Sequence, residues 1–311
     1  MKNSIKVFAP ATVANVVCGY DVLGFAVNAP GDEVVMRLTA TKGITISKIT
    51  GDDGKLPMNP EKNTVSASVQ HYLNHIGKPD FGIDIELHKK MPIGSGLGSS
   101  SASTVAGLFA INALFDNLLS NKELVPFAMK GEELACGYGH ADNVAPALMG
   151  GFVLIRSYEP LDIISLPFPE DMHAAIVYPE VDVPTKDARQ MIRSKVLLKD
   201  AVTQWGNVAG LVSGLFMKDY DLIGRSMTDV LVEPTRAILI PDFYVMRQMA
   251  LNEGAVGFGI SGSGPSVFAL TKDADTANRI TEKLQNHLKE LAINSLSFVS
   301  EVNKKGPVIL D

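Results

Sequence analysis

The stretch Pro92-Ile93-Gly94-Ser95-Gly96-Leu97-Gly98-Ser99-Ser100-Ser101-Ala102 decides how the rest of the chain is read. Before it, FGIDIELHKKMP alternates apolar and polar residues as a half-buried strand does. After it, STVAGLFAINALFDNLL is apolar nearly all round, the pattern of a buried helix. A glycine-serine loop between a strand and such a helix is built for phosphate. Its glycines let backbone N–H groups converge on an anion, with Gly96 and Gly98 expected to leave room for the approaching oxygens. The helix aims the positive end of its dipole at the same point. Ser99, Ser100 and Ser101 add hydroxyls, one of which can ligate Mg²⁺. A flexible linker of like composition would not normally stand in this position.

Two familiar nucleotide signatures are excluded. The lysine of GxxxxGK[ST] is missing, and GSGLGSS breaks the GxGxxG spacing outside any first βαβ unit. A different nucleotide-binding fold is required.

Working outward, IKVFAPATVANV and DEVVMRLTATKGITISKIT read as strands. KNTVSASVQHYLNHIGKP puts Val65, Val69, Tyr72 and Leu73 on one helical stripe, which Gly77 and Pro79 stop. KELVPFAMKGEELACGYG reads as a helix, HADNVAPALMGG as a loop and FVLIRS as a strand. Residues 160–172, rich in proline and acid, mark a boundary between domains 1–170 and 171–311. Beyond it come a strand (HAAIVYP), a loop (VDVPTKDAR), helices through 190–231 and 241–253, a glycine-rich hairpin (GAVGFGISGSGPSVFAL), a helix over 275–291 and a last strand. Strands and helices mix without a βαβ beat, so the fold class is α+β.

Composition limits the function. With 311 residues, 46% hydrophobic and 20% charged, the chain reads as a soluble protein of about two domains. No apolar run approaches the roughly 18 residues that span a bilayer. MKNSIKVFAPATVANVV lacks the apolar block of a secretory signal, so no membrane is expected and the location is cytoplasmic. Cys18 and Cys136 fit no metal or disulfide pattern and are expected as buried thiols. A net charge of −6 excludes nucleic acid as the main partner, because phosphate neutralisation needs a clustered basic surface.

The wording Pro-x-x-x-Gly-Leu-Gly-Ser-Ser resembles the phosphate loop of the superfamily of galactokinase, homoserine kinase, mevalonate kinase and phosphomevalonate kinase. Ala9-Pro10-Ala11-Thr12-Val13-Ala14-Asn15, continuing to Gly19-Tyr20-Asp21-Val22-Leu23-Gly24, is similar to the first superfamily motif, although Val16-Val17-Cys18 departs from its usual wording. Gly259-Ile260-Ser261-Gly262-Ser263-Gly264-Pro265-Ser266 resembles the third, a glycine-rich turn supporting the loop. His140-Ala141-Asp142-Asn143-Val144-Ala145-Pro146-Ala147, Thr185-Lys186-Asp187-Ala188-Arg189 and Glu233-Pro234-Thr235-Arg236 are most similar to the homoserine kinase branch. The resemblance implies a two-domain α+β kinase fold, with a ribosomal-protein-like N-terminal domain and a ferredoxin-like C-terminal domain. It implies ATP and Mg²⁺ as cofactors, L-homoserine as substrate in threonine biosynthesis, and is compatible with a homodimer.

The resemblance also assigns roles. Residues 92–102 hold the phosphates and Asn63 stands on the adenine side. Ser100 and a helix glutamate hold the metal; alignment favours Glu132, with Glu133 its rival. An amino-acid alcohol needs an anion for its ammonium and a forked cation for its carboxylate. Asp21 matches the first and Arg189 with Arg236 the second, while Asn15 and Asn143 are placed on the substrate and Thr185 near the transferred phosphate. Asp142 and Asn143 are adjacent, and either could face the reacting hydroxyl. The rivals are a superfamily kinase acting on mevalonate, a sugar or shikimate, and a nucleotide-binding sensor without activity.

Overall fold

Apolar residues alternate along β1 (Ser4–Ala14) as far as Ala9, after which every residue to Ala14 is buried as the strand passes between layers. The computed structural model describes residues 3–137, 139–183 and 191–310, the side chains of 135 and 136 excepted. β2 (Leu23–Leu38) runs antiparallel to β1 in two registers, Ser4↔Arg37 to Pro10↔Gly31 and Thr12↔Ala26 to Ala14↔Gly24. The close approach at the bend demands glycine: a Cβ on Gly31 would lie 2.3 Å from the Phe8 ring and 2.4 Å from the Ala9 carbonyl oxygen. The first half of β2, over LGFAVN, has no clear alternation and escapes sequence reading.

β3 (Ile44–Thr50) and β4 (Ile83–His88) pair in parallel across a connection that carries α1 (Thr64–His75). The first sheet has the order β11-β1-β2-β4-β3, with β5 (Phe152–Tyr158) on β2 and β6 (Leu161–Leu166) on β5. α2 (Ser99–Leu114) packs on β1 and β2, flanked by α1, α3 (Asn121–Cys136) and α4 (Ala141–Met149). Because protein surrounds α2, its sequence is apolar all round.

The second sheet contains β7 (His173–Pro179), β8 (Gly257–Ile260), β9 (Val267–Thr271) and β10 (Ser295–Glu301) in the antiparallel order β10-β7-β9-β8. Between β7 and β8 lie α5 (Leu198–Met217), α6 (Tyr220–Ser226), α7 (Glu233–Arg236) and α8 (Phe243–Asn252), and α9 (Ala274–Glu290) joins β9 to β10. Numbered within this half, the strands run fourth-first-third-second, the ferredoxin-like order. Phe243, Met246, Phe258, Ile280 and Leu284 form its own core. β11 (Val308–Ile309) then returns the chain to the first sheet, pairing Val7↔Ile309 and Phe8↔Val308.

Two expectations change. HADNVAPALMGG is not a loop: its residues 141–149 form α4, because Ala141, Val144, Ala145 and Leu148 make a buried stripe that periodicity over so short a stretch does not reveal. The 160–172 stretch contains β6, so the first connection between the two sheets is confined to residues 167–172. Among the described residues no helix is long and apolar enough to cross a membrane. Cys18 is buried, which pushes its thiol up to about 12 and keeps it unreactive. The side chain of Cys136 lies outside the described residues.

Candidate active site

A cavity of about 850 Å³ runs from Leu56, Pro57 and Asn63, past the glycine-serine loop, to Asp21, Asn143 and Arg236. Gly94, Gly96 and Gly98 all have positive φ (74°, 79° and 66°). A Cβ on Gly94 would meet nothing within 4 Å, so this residue leaves the cavity open. A Cβ on Gly96 would lie 2.5 Å from Ser261 O and 2.7 Å from Gly264 O; on Gly98 it would lie 2.2 Å from Thr12 Oγ1. Gly96 and Gly98 are therefore required by packing inside the protein, which corrects the expectation that they make room for phosphate.

Gly98 caps α2 without a side-chain hydrogen bond, and the first turn holds no acidic residue. Its leading N–H groups are thus presented to the loop. The loop itself is tied down from both sheets. Ser261 Oγ donates to Gly96 O at 2.8 Å, Ser266 N to Ser95 O at 3.2 Å, and Thr12 N to Leu97 O at 3.1 Å. Of the predicted loop residues, Pro92, Leu97 and Ala102 do not line the cavity, and the last two are buried in the core. Ile93, Gly94, Ser95, Gly96, Gly98, Ser99, Ser100 and Ser101 do line it.

Beneath the first turn of α2 lies a buried ion pair that no motif announces. Lys89 Nζ contacts Asp32 Oδ2 and donates to Ser99 O and Ser103 Oγ, each at 2.7 Å. Asp32 accepts further from Ser103 Oγ at 2.9 Å and Lys90 N at 2.8 Å. Burial pushes the Lys89 ammonium below its ordinary range, and the Asp32 charge opposes that shift. The pair joins β2 and the end of β4 to the first turn of α2.

Ser100 Oγ donates to Glu132 Oε1 at 3.0 Å. Burial pushes the Glu132 carboxyl up, against hydrogen bonds from Ser100 and Ser101 and the charge of Lys89. Glu133 points elsewhere, pairing with Lys130 at 2.9 Å on the surface. Of the two glutamates, Glu132 is the one brought to the loop. With Ser100 it offers two hard oxygens, a set suited to Mg²⁺, which takes its remaining ligands from water and phosphates. Asn63 lines the cavity, but its amide is engaged locally: Oδ1 accepts from Val65 N and Nδ2 donates to Pro57 O, each at 3.1 Å.

At the far end, Asn15, Val16 and Val17 occupy the left-handed region at φ 71°, 42° and 62°, unusual for two β-branched residues. Asn15 Nδ2 donates to Gly262 O at 2.9 Å, and its Oδ1 accepts from Asp21 N at 3.0 Å. Tyr158, absent from the sequence reading, donates to Asp21 O at 2.7 Å, and His140 Nδ1 is 3.8 Å from the Asp21 carboxylate. Arg236 also donates to Gly262 O, at 2.8 Å, and its guanidinium lies 5.1 Å from the Tyr20 ring. Thr12 Oγ1 donates to Asn143 Oδ1 at 2.7 Å, fixing the amide of Asn143; Asp142 beside it also lines the cavity. Thr185 and Arg189 lie outside the described residues.

These contacts set the stability of three single variants. Gly96→Val should lower stability by on the order of 3 kcal/mol, combining a backbone clash with an unfavourable φ. Gly94→Ala should cost about 1 kcal/mol while weakening ATP binding, so thermal unfolding with calorimetric ATP titration separates packing from ligand contact. Asp32→Ala should cost about 3–5 kcal/mol in urea unfolding by stranding the Lys89 charge, and a Lys89→Met, Asp32→Leu double variant should recover much of it.

Comparison with known proteins gives the family and the fold. The family description "GHMP kinases N terminal domain" matches residues 63–151 and "GHMP kinases C terminal" matches residues 210–290. Homoserine kinase of Chlorobium phaeobacteroides (strain BS1) is 46% identical, over 97% of this chain and 98% of its own. That of Xylella fastidiosa (strain M12) is 35% identical, over 98% of this chain and 94% of its own. A crystal structure of homoserine kinase from Cytophaga hutchinsonii superposes with a TM-score of 0.97 at 57% identity, covering 100% of this chain and 98% of that one. L. major mevalonate kinase in complex with R-mevalonate, at 16% identity and a TM-score of 0.72 over 97% of this chain and 98% of that one, shares the fold.

Proposed function

The chain belongs to the GHMP kinase family, in its homoserine kinase branch, and on that premise we propose that it transfers the γ-phosphoryl group of ATP to the hydroxyl of L-homoserine. The product, O-phospho-L-homoserine, feeds amino-acid biosynthesis, specifically that of threonine. One observation carries the assignment: the cavity that begins at the phosphate loop ends between Asp21 and Arg236. An anion and a forked cation at the same end suit a zwitterion. A sugar would leave both charges unmatched, and mevalonate would leave the aspartate without an ammonium.

ATP lies with its adenine toward Leu56, Pro57 and Asn63 and its phosphates against the free N–H groups of α2. Ser100 and Glu132 would hold Mg²⁺, which would supply positive charge to offset that of the ATP phosphates. Arg236 takes the substrate carboxylate, Asp21 the ammonium, and Asn15 keeps the two ends in register through Gly262 and the Asp21 amide. The cytoplasm, where ATP and Mg²⁺ are held, is the place of action.

Asn143 orients the reacting hydroxyl. Its Oδ1 is occupied by Thr12, so its amide N–H group is the one available to the substrate oxygen. An amide cannot take up a proton at neutral pH, so the hydroxyl proton leaves late, to a phosphate oxygen, as a loose transition state permits. Asn143→Ala should therefore lower kcat/KM for homoserine by about tenfold or more. Asp142→Asn should keep most of kcat with little change in the pH–rate profile. A loss of roughly 10²–10⁴-fold in Asp142→Asn, with the acidic limb of the profile removed, would make Asp142 a general base instead.

The assignment as a whole is tested by ADP release over a panel of homoserine, mevalonate, galactose and shikimate. Homoserine should dominate, and Arg236→Ala should raise its KM by about 30-fold, the equivalent of about 2 kcal/mol, with the KM for ATP within about twofold. Turnover of a sugar in preference to homoserine, or equal losses for both ligands, would sink it.

A further inference from the structure

α5 carries a reversal of the usual helix pattern. Val202 and Trp205 are 53% and 62% exposed, while Gln204 between them is 6% exposed. A buried glutamine amide needs partners at both ends. Here both come from other segments: Gln204 Nε2 donates to Cys18 O at 2.7 Å, and Gln204 Oε1 accepts from Val230 N at 3.1 Å. The amide orientation is unambiguous, since Cys18 offers a carbonyl and Val230 an N–H.

These partners belong to the two segments that hold the ends of the amino acid. Cys18 follows the left-handed run Asn15–Val17 and precedes Asp21. Val230 lies in the turn that Asp229 organises by accepting from Leu231 N at 2.8 Å and Glu233 N at 2.8 Å, and that turn starts the short helix carrying Arg236. The segments meet where the Arg236 guanidinium lies 5.1 Å from the Tyr20 ring, but the packing between them is incomplete. A cavity of about 20 Å³, lined by Val17, Tyr20, Asp229, Val232 and Arg236 among others, lies between them. α5 is itself seated firmly, because Gly210 and Gly214 let it approach Ser226 and Ile223 of α6.

We propose that Gln204 is a positioning residue that sets the distance between the ammonium-binding loop at Asp21 and the carboxylate-binding helix at Arg236, and so tunes selectivity for an α-amino acid of homoserine's length. The inference rests on the assignment of Asp21 and Arg236 made above. Gln204 touches neither ATP nor the reacting hydroxyl. Its removal relaxes a strained loop that local sequence disfavours, and the two charged contacts then lose their common register.

Steady-state kinetics on the full chain test it. Gln204→Leu removes both hydrogen bonds, and Gln204→Glu keeps the acceptor for Val230 N while losing the donor to Cys18 O. Both should raise the homoserine KM about tenfold or more, with the ATP KM within about twofold and kcat falling less than KM rises. The unaltered protein provides a reading independent of variant folding: homoserine should slow amide exchange at Val230 and at Gly19, Val22 and Leu23 together, and ATP alone should not. A melting-temperature drop with both KM values unchanged, equal losses for ATP and homoserine, or loop protection without Val230 protection would each overturn the proposal. If the unaltered protein turns over another alcohol and not homoserine, the functional assignment fails, and the same KM split measured with that alcohol still judges Gln204.

Discussion

A helix whose first N–H groups must stay free for a phosphate cannot use the ordinary side-chain cap, so something else has to hold its N-terminus in place. In this chain the proposed phosphate site puts that constraint on α2, and most of the site's construction answers it. The cap is Gly98 in a left-handed conformation, which makes no side-chain hydrogen bond to the helix N–H groups. The fixing comes from below, where the Lys89 ammonium bridges Asp32, the Ser99 carbonyl and the Ser103 hydroxyl. A buried ion pair adds little net stability, but removing either member is costly. It therefore suits a position where geometry matters more than total stability. The positive charge of Lys89 also opposes the effect of burial on Glu132, so one lysine serves both the helix end and the Glu132 carboxylate.

The second consequence is that neither sheet builds the site alone. The loop after β4 belongs to the first half of the chain, yet Gly96 is packed against Ser261 and Gly264 of the second. A single carbonyl, that of Gly262, receives Asn15 from one half and Arg236 from the other. The return of β11 to the edge of β1 closes the same circuit at the end of the chain. An amino acid that must present its hydroxyl in line with a bound phosphate needs such cross-bracing, because a displacement of about 1 Å at the substrate can cost on the order of a hundredfold in rate.

The strain in the turn after β1 fits this picture. Two consecutive β-branched residues in the left-handed region are disfavoured by their own backbone, and they persist only because the surroundings hold them. Val17 fills the space left by Gly259, where a Cβ would fall 2.5 Å from its methyl group. The turn needs the second half of the chain to keep its shape, and it then delivers Asp21 to the cavity.

What the sequence alone determined was everything written in local chemistry. The glycine-serine loop between a strand and an apolar helix pointed to the residues that line the cavity, because backbone access, dipole and hydroxyls are short-range properties of consecutive residues. Strands such as β4 and helices such as α2 were legible for the same reason, and the family resemblance singled out Asp21, Asn143 and Arg236, which line the cavity. The tertiary structure alone decided which glycines serve packing and which serve access, since the partners of Gly96 and Gly98 lie far away in the chain. It alone separated Glu132 from Glu133, turned 141–149 into α4, and revealed Lys89, Asp32, Tyr158 and Gln204. Each of these works through a partner distant in sequence, as when Gln204 reaches back to Cys18, and no window of consecutive residues carries that information.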